Sequence, residues 1–549
     1  MVWDPGSCAV PLRPHGTTLY GAAVHADSLA AVTAWWTALG VIAAALWSLV
    51  RGRRALGALP AEELALLGAV LVGAVVAAAR IPAYQRIYTD EAYYMLAGSE
   101  LRAHAGWVAD LGYAKSYGWP ALLGLSFSLG PRDPATAVLL SQLLRVLSLV
   151  LVYGCGAVWA GPAGRRAGLV GALLLGLSPI YALLARTVEA NVAGVFTLTL
   201  MLLAGGLWRR EAVARHGVLL AASTALACMT RPEGAVLAAV LAAAHLRTDR
   251  RLVALVLAGV GLALPNLWVY AAMHVTNNVD RIAAFGVAAA RLHPARAFVS
   301  GPYQSVVATL AVAGLAVGWR GARGPALALA AWLLLTLALL SAAGTGALAL
   351  PDRFVLAPNL PAALLAGHAA QAALTQLATR SRHAAIALAL LATLWVARAA
   401  RPGLDAEQHP NAGYALQHRL AEQVEAVMPA HCTLVATRPE LYQATTDLTV
   451  LSAPDVLSGT TPLPACARFI WDMTCSEWHW PPFSDQCAAL RAMSRPTPLT
   501  TFPSPIPWRE GDEGEPGARD ALLLDLSPDE HPTPEPPSPP APTTPPTTD

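Results

Sequence analysis

The sequence predicts an all-α polytopic membrane protein with a small α/β domain near its C-terminus. Charged residues make up only 13% of the 549 residues and hydrophobic residues make up 55%, whereas soluble domains carry about 25% charged residues. The mean hydropathy is +0.47, and the apolar residues are gathered in runs long enough to cross a membrane. This composition excludes an ordinary soluble enzyme, a coiled coil and a disordered chain.

The apolar runs predict about twelve transmembrane helices, since a helix needs roughly 20 apolar residues to cross a bilayer. The predicted spans cover residues 29–50, 62–81, 136–160, 166–184, 190–208, 216–230, 233–246, 252–272, 304–319, 325–345, 354–373 and 384–398. The first run ends in arginines and has no small-residue cleavage site, so we expect it to be retained. A further apolar stretch, Trp119–Gly130, is too short to span and is expected to be re-entrant or interfacial.

Arginine placement predicts the orientation of these helices. Alternate loops are rich in arginine and poor in acids, which the positive-inside rule assigns to the cytoplasm. Those arginines are Arg51, Arg53, Arg54, Arg165, Arg166, Arg209, Arg210, Arg215, Arg247, Arg250, Arg251, Arg320, Arg323, Arg380 and Arg382. We therefore predict a multi-pass protein of the cell inner (plasma) membrane, with both termini external and the C-terminal domain periplasmic or extracellular.

Composition divides the chain into five segments. Residues 1–28 are a polar external segment, and residues 29–61 hold an extra N-terminal helix and a cytoplasmic loop. Residues 62–398 form the main transmembrane domain, whose first external loop is 82–135. Residues 399–495 are expected to form a small external α/β domain, because a helical pattern is followed by strand-like runs. Residues 496–549 are expected to be a disordered, proline-rich tail.

Four cysteines lie in the predicted C-terminal domain: Cys432, Cys466, Cys475 and Cys487. In an oxidising compartment they can form two disulfides in three possible pairings. Zinc is the alternative, because Cys475 and His479 are four residues apart and are flanked by the other cysteines. The spacing fits no common zinc pattern, so we favour disulfides and leave the pairing open.

The strongest functional signal is the segment Thr89–Tyr94, which follows the second predicted span. It contains Asp90 and Glu91 in tandem, followed by Tyr93 and Tyr94. Adjacent carboxylates repel each other and are costly to desolvate, a cost that is accepted where a base or a metal ligand is required. The alternative is a plain helix start, with Asp90 as N-cap and Glu91 in the first turn.

Further motifs follow in a fixed order along the chain. They are Lys115 within Tyr113–Pro120, Arg145, Leu177-Ser178-Pro179, Ala185-Arg186-Thr187, Thr230–Gly234, and Asp352-Arg353-Phe354 with Pro358. Together with Asp90-Glu91-Ala92-Tyr93-Tyr94 they resemble the GT-C glycosyltransferases. The most similar branch is the family 39-like enzymes that use polyprenyl-phosphate sugars, which include protein mannosyltransferases and lipid A aminoarabinose transferases. The resemblance covers about residues 62–375.

The resemblance implies a GT-C fold and an inverting hexosyl or pentosyl transfer. The donor would be a polyprenyl-phosphate sugar, and the acceptor an envelope lipid, polysaccharide or protein on the external face of the membrane. Asp90 and Glu91 would be catalytic, with Asp90 as the base. The donor phosphate would be bound by Lys115, Arg231 and Arg353.

The resemblance also implies substrate contacts, which are expected at Tyr93, Tyr94, Glu189 and Asn191. A divalent metal, if one is bound, would take Asp90 and Glu189 as ligands. The family often has a second acid where this chain has Asn191, which leaves metal binding open. The segment around Lys115 also lacks the double proline that the family has there.

Plainer interpretations compete with several of these assignments. Arg231 could pair with Glu233, Arg353 with Asp352, and Glu189 could cap the helix that follows it. A transporter or flippase of a lipid-linked or small polar solute is the alternative function, and a scaffold that has lost activity is a third. Transporters usually place polar groups at the bilayer midplane in repeated halves, whereas the acids here gather at one face. A net charge of only +2 gives no indication of nucleic-acid binding.

Overall fold

The computed structural model describes residues 18–56, 60–79, 81, 89–104, 116–285, 287–321, 323–344, 351–406, 415–472, 475, 483–503 and 520–526. The chain divides into two compact units between residues 415 and 416. The first unit is helical, and the second contains a five-stranded sheet. We call them the membrane domain and the C-terminal domain.

The membrane domain is built from long apolar helices near the predicted spans and from shorter helices between them. Their bounds are α1 (Thr18–Leu56), α2 (Ala61–Ala79), α3 (Thr89–Ala103), α4 (Gly118–Phe127), α5 (Pro134–Gly176), α6 (Pro179–Leu184), α7 (Ala190–Arg210), α8 (Ala214–Thr230), α9 (Glu233–His245), α10 (Arg250–Phe285), α11 (Val287–Val299), α12 (Pro302–Gly321), α13 (Arg323–Ala342), α14 (Leu356–Ala378) and α15 (Arg382–Ala406). A short 3-10 helix, Pro351–Val355, leads directly into α14.

Seven described helices are long and apolar enough to cross a membrane. The count is eight if the bent pair Arg291–Val299 and Pro302–Gly318 forms one span. Other predicted spans are shorter helices, such as α8 with 17 residues and α9 with 13. The fold class is therefore the predicted polytopic helical one, although several of the twelve predicted spans are shorter than a full crossing.

Helix α5 has 43 residues but doubles back on itself. Gly156 and Gly168 would be about 18 Å apart along a straight helix. A Cβ atom added to Gly156 would instead lie 2.8 Å from the Cα atom of Gly168. Only glycine allows the two halves of α5 to approach this closely. The halves correspond to the separate spans predicted at 136–160 and 166–184, and the second ends where Pro179 begins α6.

The short apolar stretch predicted to be re-entrant or interfacial forms α4. It has ten residues, most of them buried, and Trp119 is completely inaccessible. The helix packs against α3, which carries Asp90 and Glu91. A helix of this length cannot cross a bilayer, so α4 supports the site from within the protein.

The C-terminal domain is a mixed α/β unit. Its elements are α16 (Ala415–Val427), β1 (Thr433–Ala436), α17 (Pro439–Gln443), β2 (Val450–Ser452), α18 (Ala453–Leu457), β3 (Ala467–Trp471), α19 (Phe483–Met493), β4 (Thr500–Phe502) and β5 (Ala521–Leu526). The strand order is β2-β1-β3-β5-β4. Strand β1 runs parallel to β2 and β3, and β5 runs antiparallel to β3 and β4.

The predicted boundaries of this domain, 399 and 495, are both too early. Helix α15 continues to Ala406 within the membrane domain. Strand β5 pairs with β3 across five residues, from Ala467↔Leu526 to Trp471↔Leu522, so the sheet is completed by residues inside the predicted tail. Residues 503–520 are rich in proline and charge, which favours a disordered tail. The strand β5 that follows pairs with a strand distant in sequence, so no local pattern predicts it. The tail from Ser527 lies outside the described residues.

Disulfides join Cys432 to Cys466 and Cys475 to Cys487. The first links the residues preceding β1 and β3, and the second joins Cys475, which follows β3, to Cys487 within α19. The disulfide prediction is confirmed and the zinc alternative is wrong, because all four sulfur atoms are bonded to one another in pairs. His431 lies beside the first pair, with its ligand atom within 4.8 Å of both sulfurs, but disulfide sulfurs are not thiolate ligands.

Candidate active site

The centre of the candidate site is an arginine between two carboxylates. Asp90 lies in the first turn of α3, and Arg353 lies in the 3-10 helix before α14. An Arg353 Nη2–Asp90 Oδ2 distance of 3.5 Å joins these distant parts of the chain. Arg353 also forms an ion pair with Glu189. Arg353 therefore does not depend on its neighbour Asp352 for a counter-charge.

These carboxylates keep Arg353 charged. Burial acts to lower the pKa of Arg353, but Glu189 and Asp90 outweigh that effect and raise it. A guanidinium also presents several N–H donors in one rigid plane, so that it can bind two acceptors at once in a fixed geometry that an ammonium lacks. Arg353 is thus a fixed cation that links α3 to the segment before α7.

Glu189 precedes α7 in the N-cap position but does not cap the helix with its side chain. Its Oε1 pairs with Arg353, and its Oε2 accepts a hydrogen bond of 3.3 Å from the amide of Asn191. Asn191 is only 5% exposed. The predicted substrate contacts Glu189 and Asn191 therefore form one network with Arg353.

Glu91, which follows Asp90 directly, contacts the backbone next to Glu189. It is completely buried, and its Oε1 accepts a hydrogen bond of 3.2 Å from the backbone N–H of Val188. The carbonyl of Val188 in turn accepts a 2.7 Å hydrogen bond from the indole of Trp119. Glu91 thus ties α3 and α4 to the segment that carries Glu189.

Arg231 follows α8 and is held by Glu233, with distances of 2.7 Å and 3.2 Å from its guanidinium to the two carboxylate oxygens. This is the local salt bridge that sequence reasoning offered as the plainer alternative. The ring of Phe354 also lies 5.2 Å from the Arg231 guanidinium and 5.1 Å from that of Arg353. Phe354 therefore brings the two arginines to the same place, where both retain a positive charge.

Two tyrosines surround these charges. Tyr94 is buried on α3, and burial, Asp90 and Glu189 raise its pKa well above the ordinary value, so its phenol stays protonated. Tyr270 of α10 lies within electrostatic range of Arg231, Arg353 and Asp90. No motif indicated Tyr270, because it stands in the middle of an apolar helix. Tyr93 is partly exposed next to Asp90.

Lys115 lies outside the described residues, but the chain directly after it is anchored at the site. The hydroxyl of Ser116 donates a 2.9 Å hydrogen bond to the carbonyl of Thr230, which precedes Arg231. A Cβ atom at Gly118 would lie 2.5 Å from the Thr230 hydroxyl, so this close approach requires glycine. The backbone N–H of Tyr117 also donates to Asn266 of α10.

The site therefore combines a partly exposed carboxylate with two fixed cations. Asp90 has a side-chain exposure of 26%, compared with 6% for Glu189 and 1% for Glu233. An accessible carboxylate can accept a proton from a substrate, and neighbouring guanidiniums can bind an anion such as a phosphate. The structure brings together Asp90, Glu189, Asn191, Arg231 and Arg353, and it directs Glu91 to a backbone contact.

Two solved structures of one enzyme are similar to this chain. ArnT from Cupriavidus metallidurans bound to undecaprenyl phosphate matches with a TM-score of 0.54 and 16% identity, over 85% of this chain and 98% of that one. Its apo state matches with a TM-score of 0.50 and 16% identity, over 84% and 97%. The apo form of an oligosaccharyltransferase from Archaeoglobus fulgidus has a TM-score of 0.49 at 11% identity, over 75% and 70%.

No protein-family model and no curated protein sequence matches the chain. At 16% identity, the similarity to ArnT is one of fold. It extends over nearly the whole length of ArnT and over 85% of this chain. The resemblance that the motifs indicated is confirmed at this level, and the chain has the GT-C fold.

Proposed function

We propose that the protein is an inverting glycosyltransferase that moves a sugar from a polyprenyl-phosphate-linked donor to an envelope acceptor. The acceptor is a lipid, polysaccharide or protein on the external face of the inner membrane, where the C-terminal domain also lies. The observation that carries the proposal is the pairing of Asp90 with Arg353 at 3.5 Å within a GT-C fold. ArnT, whose fold is similar, has been solved with undecaprenyl phosphate bound.

Asp90 is the proposed base because it is the most exposed of the site carboxylates. A general base must come within hydrogen-bond reach of the proton that it abstracts. Glu189 and Glu233 are buried and paired with arginines, and Glu91 bonds to the backbone of Val188. Glu91 is therefore a positioning residue in this proposal.

The proposed step is a single displacement at the anomeric carbon. An acceptor hydroxyl or amine attacks from the face opposite the phosphate, and a new bond to the anomeric carbon forms. The bond from that carbon to the phosphate oxygen breaks, so polyprenyl phosphate leaves with the bonding electrons and the configuration inverts. Asp90 accepts the proton that the acceptor loses. The partly exposed Tyr93 contacts the acceptor in this arrangement, while Tyr94 and Asn191 support the charged groups.

Arg353, Arg231 and Lys115 bind the donor phosphate in the proposal. Fixed positive charge stabilises the negative charge that develops on a departing phosphate. Arg353 contacts Asp90 and Glu189, so an incoming phosphate competes with them for the guanidinium and leaves Asp90 available to the acceptor. Lys115 is included from the sequence motif alone, because it lies outside the described residues.

A divalent metal on Asp90 and Glu189 does not fit this arrangement. Both carboxylates already contact the guanidinium of Arg353. A metal cation placed between them would be repelled by that charge at close range. The proposed step therefore relies on the chain's own cations.

The test uses the full-length protein in nanodiscs, with radiolabelled polyprenyl-phosphate sugars and envelope extract as the source of acceptor. Asp90→Asn is expected to lower sugar release from the lipid by about 10²–10⁴-fold, the usual contribution of a general base. The matched control is Glu100→Gln on the same helix, whose side chain is 46% exposed and pairs with His104 one turn away. It removes one carboxylate charge outside the site and should keep wild-type turnover.

Two results would contradict the proposal. In the first, folded wild-type protein releases sugar from none of the donors. The assignment would then move to lipid flipping, which can be measured with the protein in vesicles made of the same lipids. Equal turnover by the wild-type and Asp90→Asn proteins would remove Asp90 as the base.

A further inference from the structure

The arginine-rich end of the membrane domain contains a cavity of about 460 Å³ at the turn between α9 and α10. Leu246, Arg247, Arg250 and Val253 line it. Helix α9 has 13 residues and separates this turn from Glu233 of the candidate active site, a rise of about 20 Å. The cavity is therefore distinct from the place proposed for the donor phosphate.

Neighbouring arginines at this end are engaged by the protein itself. Arg210 donates a 3.0 Å hydrogen bond to the carbonyl of Val158. Arg209 lies 5.3 Å from the ring of Trp159 in a cation–π contact. Arg247 and Arg250, in contrast, form no ion pair with a carboxylate in the part of the chain that the structure describes. Two exposed guanidiniums thus face one cavity without a counter-charge.

The nearby acid, Asp249, is committed elsewhere. One carboxylate oxygen accepts a 2.9 Å hydrogen bond from the backbone N–H of Leu252 at the start of α10. The other accepts a 3.0 Å hydrogen bond from the indole of Trp208. Asp249 therefore holds the turn in shape and forms no ion pair with Arg247 or Arg250 among the described residues, and the two guanidinium charges exceed its single negative charge.

The cavity continues into an apolar surface. Val253 forms part of its wall, and Leu246 is 59% exposed at its rim. Leu257 lies one turn further along α10 and is 58% exposed. Helix α10 contains a membrane span, Arg250–Ala271, so this surface faces lipid chains. A ligand that fits has an anionic head and an apolar tail.

We propose that Arg247 and Arg250 bind the phosphate headgroup of an anionic phospholipid from the leaflet at this end of the protein, with its acyl chains along Leu246 and Leu257. Basic pockets at the cytoplasmic ends of transmembrane helices are suited to such headgroups, because the charge is paired at the membrane surface. This proposal does not depend on the proposed transferase activity.

The test uses the full-length protein, purified with dioleoyl phosphatidylglycerol or dioleoyl phosphatidylcholine and analysed by native mass spectrometry. Wild-type protein should retain phosphatidylglycerol in preference to phosphatidylcholine. Arg247→Gln with Arg250→Gln should reduce that preference by about fivefold for each arginine removed. Arg247→Gln alone, which changes an exposed residue outside the helices, provides a second variant if the double variant folds poorly.

The matched control is Arg380→Gln with Arg382→Gln, which removes two exposed arginines around the start of α15, a segment that the positive-inside rule assigns to the same side of the membrane. It should keep the wild-type preference. Equal loss in the control and the double variant would overturn the proposal, because the attraction would then be general surface electrostatics. A second measurement compares how much glycerol phosphate and phosphatidylglycerol raise the unfolding midpoint of the wild-type protein. An equal rise with glycerol phosphate would also overturn the proposal, because the site would then bind a soluble anion.

Discussion

The membrane domain buries two arginines in contrasting ways. Arg353 lies between two carboxylates, Glu189 and Asp90, at the end that carries the candidate site. Arg145 lies inside α5, is completely inaccessible, and donates hydrogen bonds of 2.8 Å and 2.7 Å to the carbonyls of Ala74 and Gly176. No carboxylate among the described residues forms an ion pair with Arg145. Arg353 thus contacts charged groups, whereas Arg145 contacts neutral backbone groups.

The difference separates a chemical role from a structural one. Carboxylates around Arg353 can exchange with a phosphate, because both are anions that bind a guanidinium. One carbonyl bound by Arg145, that of Ala74, lies inside α2, and the other, that of Gly176, lies at the end of α5, where intrahelical donors are missing. Arg145 therefore fixes the break before α6, and the chain continues from there to Glu189. Arg145 supports the site from a distance, and Arg353 forms part of it.

Among changes to the arginines in this comparison, the largest expected effect comes from Arg353→Gln. Loss of a fixed cation next to a departing phosphate should reduce kcat/KM for the donor by about 10²–10³-fold. Arg353→Lys retains the positive charge but loses the planar pair of N–H donors, so it should keep more activity than the glutamine variant. Turnover measured on folded protein in nanodiscs tests this order. A glutamine variant as active as wild type would make Arg353 a structural residue like Arg145.

Arg145→Met should act on stability. It removes two buried hydrogen bonds and leaves the carbonyl of Gly176, at the end of α5, without the Arg145 donor, at a cost of about 1–3 kcal/mol for that group. The unfolding midpoint in detergent should fall, while turnover per folded molecule stays close to wild type. Arg166→Met is the control, since that side chain is 67% exposed. An Arg145→Met protein with a normal midpoint and lost turnover would give Arg145 a chemical role and end the contrast.

The smallest expected effect comes from Tyr303→Phe. The Tyr303 hydroxyl donates to the carbonyl of Leu174, two residues before the carbonyl that Arg145 binds. Loss of this hydrogen bond should cost about 1 kcal/mol of unfolding free energy. Because both side chains hold one helix end, the Tyr303→Phe and Arg145→Met effects should not be additive in a double-mutant cycle. Additive effects would mean that the two residues stabilise α5 independently.

Much of the membrane domain could be predicted from sequence, because apolar runs and arginine loops are local signals. The helix starts at Pro134, Ala190, Glu233 and Arg323 lie within a few residues of the predicted ones. Strand β5 was missed for the opposite reason. Its place between β3 and β4 depends on pairing with β3, more than fifty residues earlier in the chain.

The candidate site was predicted in part. Asp90, Glu189 and Arg353 were chosen from motifs, and the structure places them in one ion-pair network. A catalytic role for Glu91 beside Asp90 stays a prediction, and successive residues of a helix point in directions about 100° apart. Its carboxylate consequently meets the backbone of Val188. Tyr270 was missed because nothing in an apolar helix distinguishes a tyrosine that faces a site.

The sequence by itself determined that this chain enters a membrane, which segments form helices and which end of them carries the acids, because hydropathy and charge depend on each residue alone. Only the tertiary structure decided which arginine meets which partner. Arg353 is 263 residues from Asp90 and 164 from Glu189, and Phe354 joins it to Arg231. The energy of an ion pair depends on the distance between the charges in space and not along the chain. The packing of the helices therefore had to be known before the site could be identified.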